Sequence, residues 1–131
     1  MFPNKETSIF VETFIELTEK FKVQFLEDAA EFLKGLDNKA REKVIYNIRK
    51  AQITSDKELF KKLTNEIWEF RTLFNKTHYR LFAFWDKTDR VDTIVISTHG
   101  LIKRSDKTPQ GDLDKADRLR KLYLEQKTHK K

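Results

Sequence analysis

The sequence predicts one α+β domain in which helices pack on a small antiparallel sheet. Patterned segments follow in the order strand, two helices, three strands, helix. Helices in a block followed by a meander of strands argue for an antiparallel sheet. A chain of 131 residues builds one core and rarely more. Its apolar content is only 38%, but eleven Phe, three Tyr and two Trp are included, and large rings bury enough surface to hold a small core despite 37% charged residues.

The elements are read as follows. Residues 1–18 form an N-terminal extension. Its Ile9, Phe10, Val11, Phe14, Ile15 and Leu17 suit either a short amphipathic helix or a strand. A domain over 19–126 then begins with Lys20–Phe25, whose polar and apolar residues alternate as in a strand. Leu26, Ala29, Ala30, Leu33 and Leu36 share one helical face, with Gly35 and Asp37 as the stop. Ala40, Val44, Ile48 and Ala51 form the seam of a second helix with Arg41, Lys43, Arg49 and Lys50 outside, and the two helices are expected to form an antiparallel hairpin. Asp56–Leu63 reads as a short basic helical piece. Ile67–Phe74, His78–Trp85 and Thr93–Ser97 are aromatic and β-branched strands, with Gly100 just past the third. Thr108-Pro109 opens a final helix whose apolar face is Leu113, Ala116, Leu119 and Tyr123. Residues 127–131 are expected to be a frayed basic tail.

Several function classes fall away. There is no cysteine, which excludes disulfides, zinc-thiolate sites and thiol catalysis. The longest apolar run, Leu81–Trp85, is far too short for a membrane span, and no leader is visible in Met1–Phe10, so the expected location is the cytoplasm. No cofactor is called for. A net charge of +6 and a pI of about 9.5 favour a polyanionic partner or serve solubility alone.

The first hairpin is more specific. A two- or four-residue loop centred on Asn75-Lys76 pairs Phe74 with Thr77, Leu73 with His78 and Arg71 with Arg80. Alternation then separates two faces. Trp68, Phe70, Phe74, Tyr79, Leu81, Ala83 and Trp85 form an apolar face for the helices. Glu69, Arg71, Leu73, His78, Arg80, Phe82 and Phe84 form the other. Like charges directly opposed across a ladder cost about 0.2–1 kcal/mol, so two opposed arginines need a reason. Paired guanidiniums suit a phosphate, each donating a fork of hydrogen bonds. The alternative is that Glu69 neutralises one arginine and solvent takes the other. Lys103, Arg104 and Lys107 lie at the end of the third strand, either as a solvated basic loop or as the rim of the same pocket. His78 and His99 sit at strand ends, titrate near neutrality, and read as structural, solvated or acid–base groups. Two histidines without a carboxylate cluster do not make a metal site.

The segments Trp68-Glu69-Phe70-Arg71, His78-Tyr79-Arg80-Leu81, Thr98-His99-Gly100-Leu101-Ile102-Lys103-Arg104 and Thr108-Pro109, then a helix containing Lys115-Ala116, stand in the order found in the phage-derived branch of the RelE/HigB toxins. The chain resembles that family over roughly residues 20–125. Leu101 stands where Phe is usual and Arg104 where a second Lys is usual, and residues 1–18 have no counterpart. The resemblance implies a RelE-like fold, an N-terminal helical hairpin on a small antiparallel sheet with a C-terminal helix. It also implies a metal-independent endoribonuclease that cleaves mRNA on the ribosome, silenced by a cognate antitoxin, a helix-turn-helix protein. Carried over, the catalytic residues are Arg71, Arg80, Lys103 and Arg104; Lys107, His99, His78, Lys61 and Lys62 are further candidates for RNA contact. In such a site the ribose 2′-OH is the nucleophile, and arginines stabilise the dianionic transition state. Lys103 serves as base or as phosphate clamp. A non-catalytic RNA-binding or regulatory protein on the same fold is the alternative.

Overall fold

The computed structural model describes residues 19–54, 56–88, 94–103 and 107–129; the expectations for residues 1–18 lie outside them. In chain order the elements are β1 (Lys22–Phe25), α1 (Glu27–Lys34), α2 (Asn38–Thr54), β2 (Phe60–Lys62), β3 (Trp68–Phe74), β4 (Thr77–Asp86), β5 (Ile94–Lys103) and α3 (Gln110–His129). The sheet order is β1-β5-β4-β3-β2. Every pairing is antiparallel except β1 with β5.

The α+β class and the RelE-like arrangement hold, with α1 and α2 on one sheet face and α3 on the other. The two helices are less a hairpin with its own seam than two covers of one sheet: α1 lies mainly on β5 and α2 on β3. Asp37 caps α2, its Oδ1 accepting from the Ala40 amide at 2.9 Å. Arg41, expected on the outer face, instead donates to the carbonyls of Leu33, Lys34 and Leu36 at 2.7–3.2 Å. It thereby satisfies the carbonyls that the end of α1 leaves open.

The core between helices and sheet joins Ala29, Leu33, Ala40, Val44, Ile48 and Ala51 to Phe70, Leu81, Ala83 and Val95. At its end sits an aromatic cluster. Phe60 stacks on Phe70 at 4.3 Å and on Trp68 at 4.9 Å, and Phe21 meets Trp85 edge-on at 5.2 Å. Such contacts add about 0.5–1.5 kcal/mol per pair beyond area burial. A smaller core under α3 joins Ile67, Phe82 and Ala116 to Leu63, Leu101 and Leu113.

Three further expectations change. Asp56–Leu63 is not helical: a turn over 57–59 leads into β2, because Phe60 pairs with Phe70 and its ring joins the core. Long-range pairing decides this piece, not its composition. Gly100 does not lie past a strand but inside β5, opposite Leu81. A Cβ there would come within 2.2 Å of the Phe32 ring, so glycine serves close helix–sheet packing rather than a break. Finally, α3 continues to His129. Lys127 Nζ donates to Asp86 Oδ2 at 2.6 Å, and Tyr123 Oη donates to the same oxygen at 2.7 Å. The tail is therefore anchored at Lys127. Among the described residues, no helix is long and apolar enough to cross a membrane.

Candidate nucleic-acid site

The β3–β4 hairpin positions the site. Asn75 and Lys76 both have positive φ, 51° and 61°, the signature of a two-residue type I′ turn whose twist matches the strands. The turn fixes the register: Phe74 pairs with Thr77, Leu73 with His78, and Arg71 with Arg80. Across β4 and β5, Arg80 faces Leu101 and His78 faces Lys103. Directly opposed residues share a face, so Glu69, Arg71, His78, Arg80 and Lys103 stand together on the α3 side of the sheet.

Glu69 is the centre of this group. Its Oε1 accepts from Arg80 Nη1 at 2.5 Å and lies 3.4 Å from Arg71 Nε. Lys103 adds its field to the same carboxylate. Arg80 and Glu69 are each 1% exposed, whereas the Arg71 side chain is 18% exposed. Three cations thus bear on one carboxylate. Burial pushes the Glu69 carboxyl above the ordinary range, against the pull of Arg80, Arg71 and Lys103. The opposed arginines are thus tolerated because a carboxylate lies between them. Glu69 stands two residues from Arg71 on one strand and diagonal to Arg80 across the ladder, within reach of long side chains. The expectation of two guanidiniums open to a phosphate is corrected for Arg80: it is enclosed, and only Arg71 is partly open.

The other sequence candidates distribute as follows. Lys61 is exposed and pairs with Glu69 across β2–β3, beside the cluster. Lys62, paired with Trp68, belongs to the opposite face. His78 is half-buried opposite Lys103, and Lys107 is exposed before α3. Arg104 lies outside the described residues.

His99 is 3% exposed. Its ring stacks on Phe82 with centroids 4.8 Å apart, Nε2 lies 3.0 Å from Asp112 Oδ1, and Nδ1 lies 3.1 Å from Thr98 Oγ1. Burial lowers its pKa despite Asp112. The neutral tautomer that fits carries its proton on Nε2 toward Asp112 and accepts from Thr98 at Nδ1. A β-bulge between Phe82 and Ala83 makes this geometry, pairing Phe82 with His99 and Ala83 with Ser97, so that Thr98 is the extra residue. The ring ties β5 to the first turn of α3. It resembles an acid–base dyad in composition but is enclosed as a structural link. Among the described residues, no group of three or more His, Cys, Asp or Glu could hold a metal ion.

Chemically, the arrangement gathers fixed cationic groups around one enclosed carboxylate, with the Arg71 guanidinium partly open. No curated protein matches the chain. The family described as phage-derived protein Gp49-like (DUF891) matches residues 31–121, which include α2, the β3–β4 hairpin, β5 and the start of α3. With most of the domain covered, the chain belongs to the phage-derived Gp49-like protein family.

Proposed function

We propose that this protein is the toxin of a toxin–antitoxin system, a cytoplasmic, metal-independent endoribonuclease that cuts mRNA on the ribosome and is held silent by a helix-turn-helix antitoxin. The observation that carries the reading is the convergence of Arg71, Arg80 and Lys103 on one carboxylate on one sheet face. The family membership and the resemblance to RelE/HigB toxins support it.

In this reading the RNA supplies the nucleophile, its own 2′-OH. Attack on phosphorus forms the 2′-oxygen bond and expels the 5′-oxygen, so one proton must leave the 2′-OH and one must reach the leaving oxygen. Arg71, the partly open guanidinium, stabilises the equatorial phosphate oxygens. Lys103 clamps the phosphate or takes the proton. Arg80 is a positioning residue: it fixes Glu69, which in turn holds Arg71. Arg104, next to Lys103 in sequence, is assigned to the same phosphate, and Lys107, His78, Lys61 and Lys62 to contacts with the RNA. The ribosome aligns the strand and assists proton transfer, because Glu69, the carboxylate of the cluster, is enclosed.

A second reading, a non-catalytic RNA-binding or regulatory protein, draws on the enclosure of Arg80, since a buried ion pair is a structural device as much as a catalytic one. Induced expression in bacteria separates the two. Wild type should arrest growth and produce cleaved mRNA ends, and Arg71→Ala at matched soluble levels should lose roughly 10²–10³ in cleavage rate. Absence of arrest by wild type, or equal cleavage by a folded Arg71→Ala, refutes the nuclease reading. Arrest without new mRNA ends favours the second.

A further inference from the structure

At the end of the sheet where β3 begins and β4 ends, an open groove of about 820 Å³ is lined by Lys62, Trp68, Trp85, Lys87 and Arg120, with Asn65, Glu66, Thr88 and Leu124 completing it. Its chemistry is not that of the Glu69 cluster. Trp68 and Trp85 are the only tryptophans in the chain, both half-buried, with rings 5.8 Å apart and nearly perpendicular. Their inner sides rest on Phe60 and Phe21, so the rings are held rigidly by the core. Lys62 and Lys87 are exposed and make no ion pair with a described residue, whereas Arg120 is engaged by Glu66 at 3.4 Å and Asp117 at 3.0 Å. Two cations without an ion pair to a described residue thus flank two fixed aromatic rings.

We infer that this groove binds single-stranded nucleic acid, the tryptophans receiving bases and Lys62 and Lys87 the flanking phosphates. Aromatic platforms with cations beside them fit any base, because every base has a π face, and bind without reading sequence. The lysines beside the rings count against a protein partner, because Lys is depleted in protein–protein interfaces whereas it pairs with the phosphates of nucleic acid. The edge strand β2 connects the groove to the Glu69 cluster: Lys61 pairs with Glu69 and the next residue, Lys62, with Trp68. From Arg71 back to Trp68 is three residues of strand, roughly 10 Å. A strand of RNA lying at Arg71 therefore has a basic path around the β2 edge to the tryptophans. That path rests on the proposed nuclease reading, whereas binding in the groove does not.

The test uses the full chain and a 2′-O-methylated oligouridine, which has no free 2′-OH and survives any cleavage. Because both tryptophans line the groove, their fluorescence reads it directly. Binding should quench the emission saturably and weaken steeply with salt. The double variant Lys62→Glu/Lys87→Glu should raise Kd about tenfold or more with unchanged circular dichroism, both side chains being exposed. A charge-matched control, Lys39→Glu/Lys50→Glu on the exposed side of α2, should bind as wild type. No quenching, or equal weakening in the control, overturns the inference, as does a groove variant that loses a protein partner but keeps the oligonucleotide. Quenching in a protein that neither arrests growth nor cleaves mRNA leaves the groove standing and removes the nuclease reading; arrest without quenching does the reverse.

Discussion

Arg80 is the residue where stability and function are most easily confused, and the Glu69–Arg80 pair gives a way to separate them. Arg80→Met keeps the length of the aliphatic stem but leaves Glu69 enclosed without its closest partner. Breaking a buried ion pair by removing one side costs about 3–5 kcal/mol. Arg71 Nε remains 3.4 Å from the same carboxylate oxygen and Lys103 still contributes its field, so the lower end, about 3 kcal/mol, is expected. At this chain length each kcal/mol moves Tm by about 3–5 °C, giving a drop of about 9–15 °C in a thermal melt followed by circular dichroism. The double variant Glu69→Met/Arg80→Met removes both charges from the enclosed position. It should return to within about 1 kcal/mol of wild type, because well-packed apolar replacements of a buried pair are often neutral or better. Urea melts of wild type, the double variant and the Arg80→Met and Glu69→Met single variants complete the cycle. If Arg80→Met costs less than about 1 kcal/mol, or if the double variant falls by the sum of the singles, the pair does not organise the sheet face as argued. A growth-arrest assay on Arg80 variants is interpretable only beside these melts.

Other outcomes follow from single contacts. Gly100→Ala should lower stability by about 1–3 kcal/mol through overpacking on Phe32, and adding Phe32→Leu should recover part of the loss in a urea melt. His99, whose pKa is lowered by burial from 6.5, stays neutral in the folded protein while the unfolded chain takes up a proton. Its share of stability is complete above about pH 6.5 and is lost as pH falls toward the folded value; His99→Gln should flatten a Tm-against-pH plot in that window. Asp86 accepts from Tyr123, Lys127 and Thr88, which holds its pKa far below the usual carboxylate range. Asp86→Ala should cost about 2 kcal/mol, read by urea denaturation. Removing residues 127–131 should lower Tm measurably, whereas a frayed tail would leave it unchanged.

Much of this molecule was legible without coordinates, and for a local reason. The β3–β4 register depends on two turn residues and on strict alternation, so Asn75-Lys76 was enough to place Arg71 opposite Arg80 and to divide the hairpin into its two faces. The seams of α1 and α2 and the start of α3 after Pro109 were equally readable, because helical periodicity and capping act within a few residues. Distant segments decided the remainder. Asp56–Leu63 looked helical until Phe60 found Phe70, Gly100 looked like a break until Phe32 came over it, and the tail looked loose until Asp86 collected Lys127. The same holds for the site. Sequence alone determined that Glu69, Arg71 and Arg80 share one side of a ribbon. Only the tertiary structure decided that the carboxylate lies between the arginines, that Arg80 is enclosed and that Arg71 is partly open, because burial depends on what α3 and β5 bring from elsewhere in the chain.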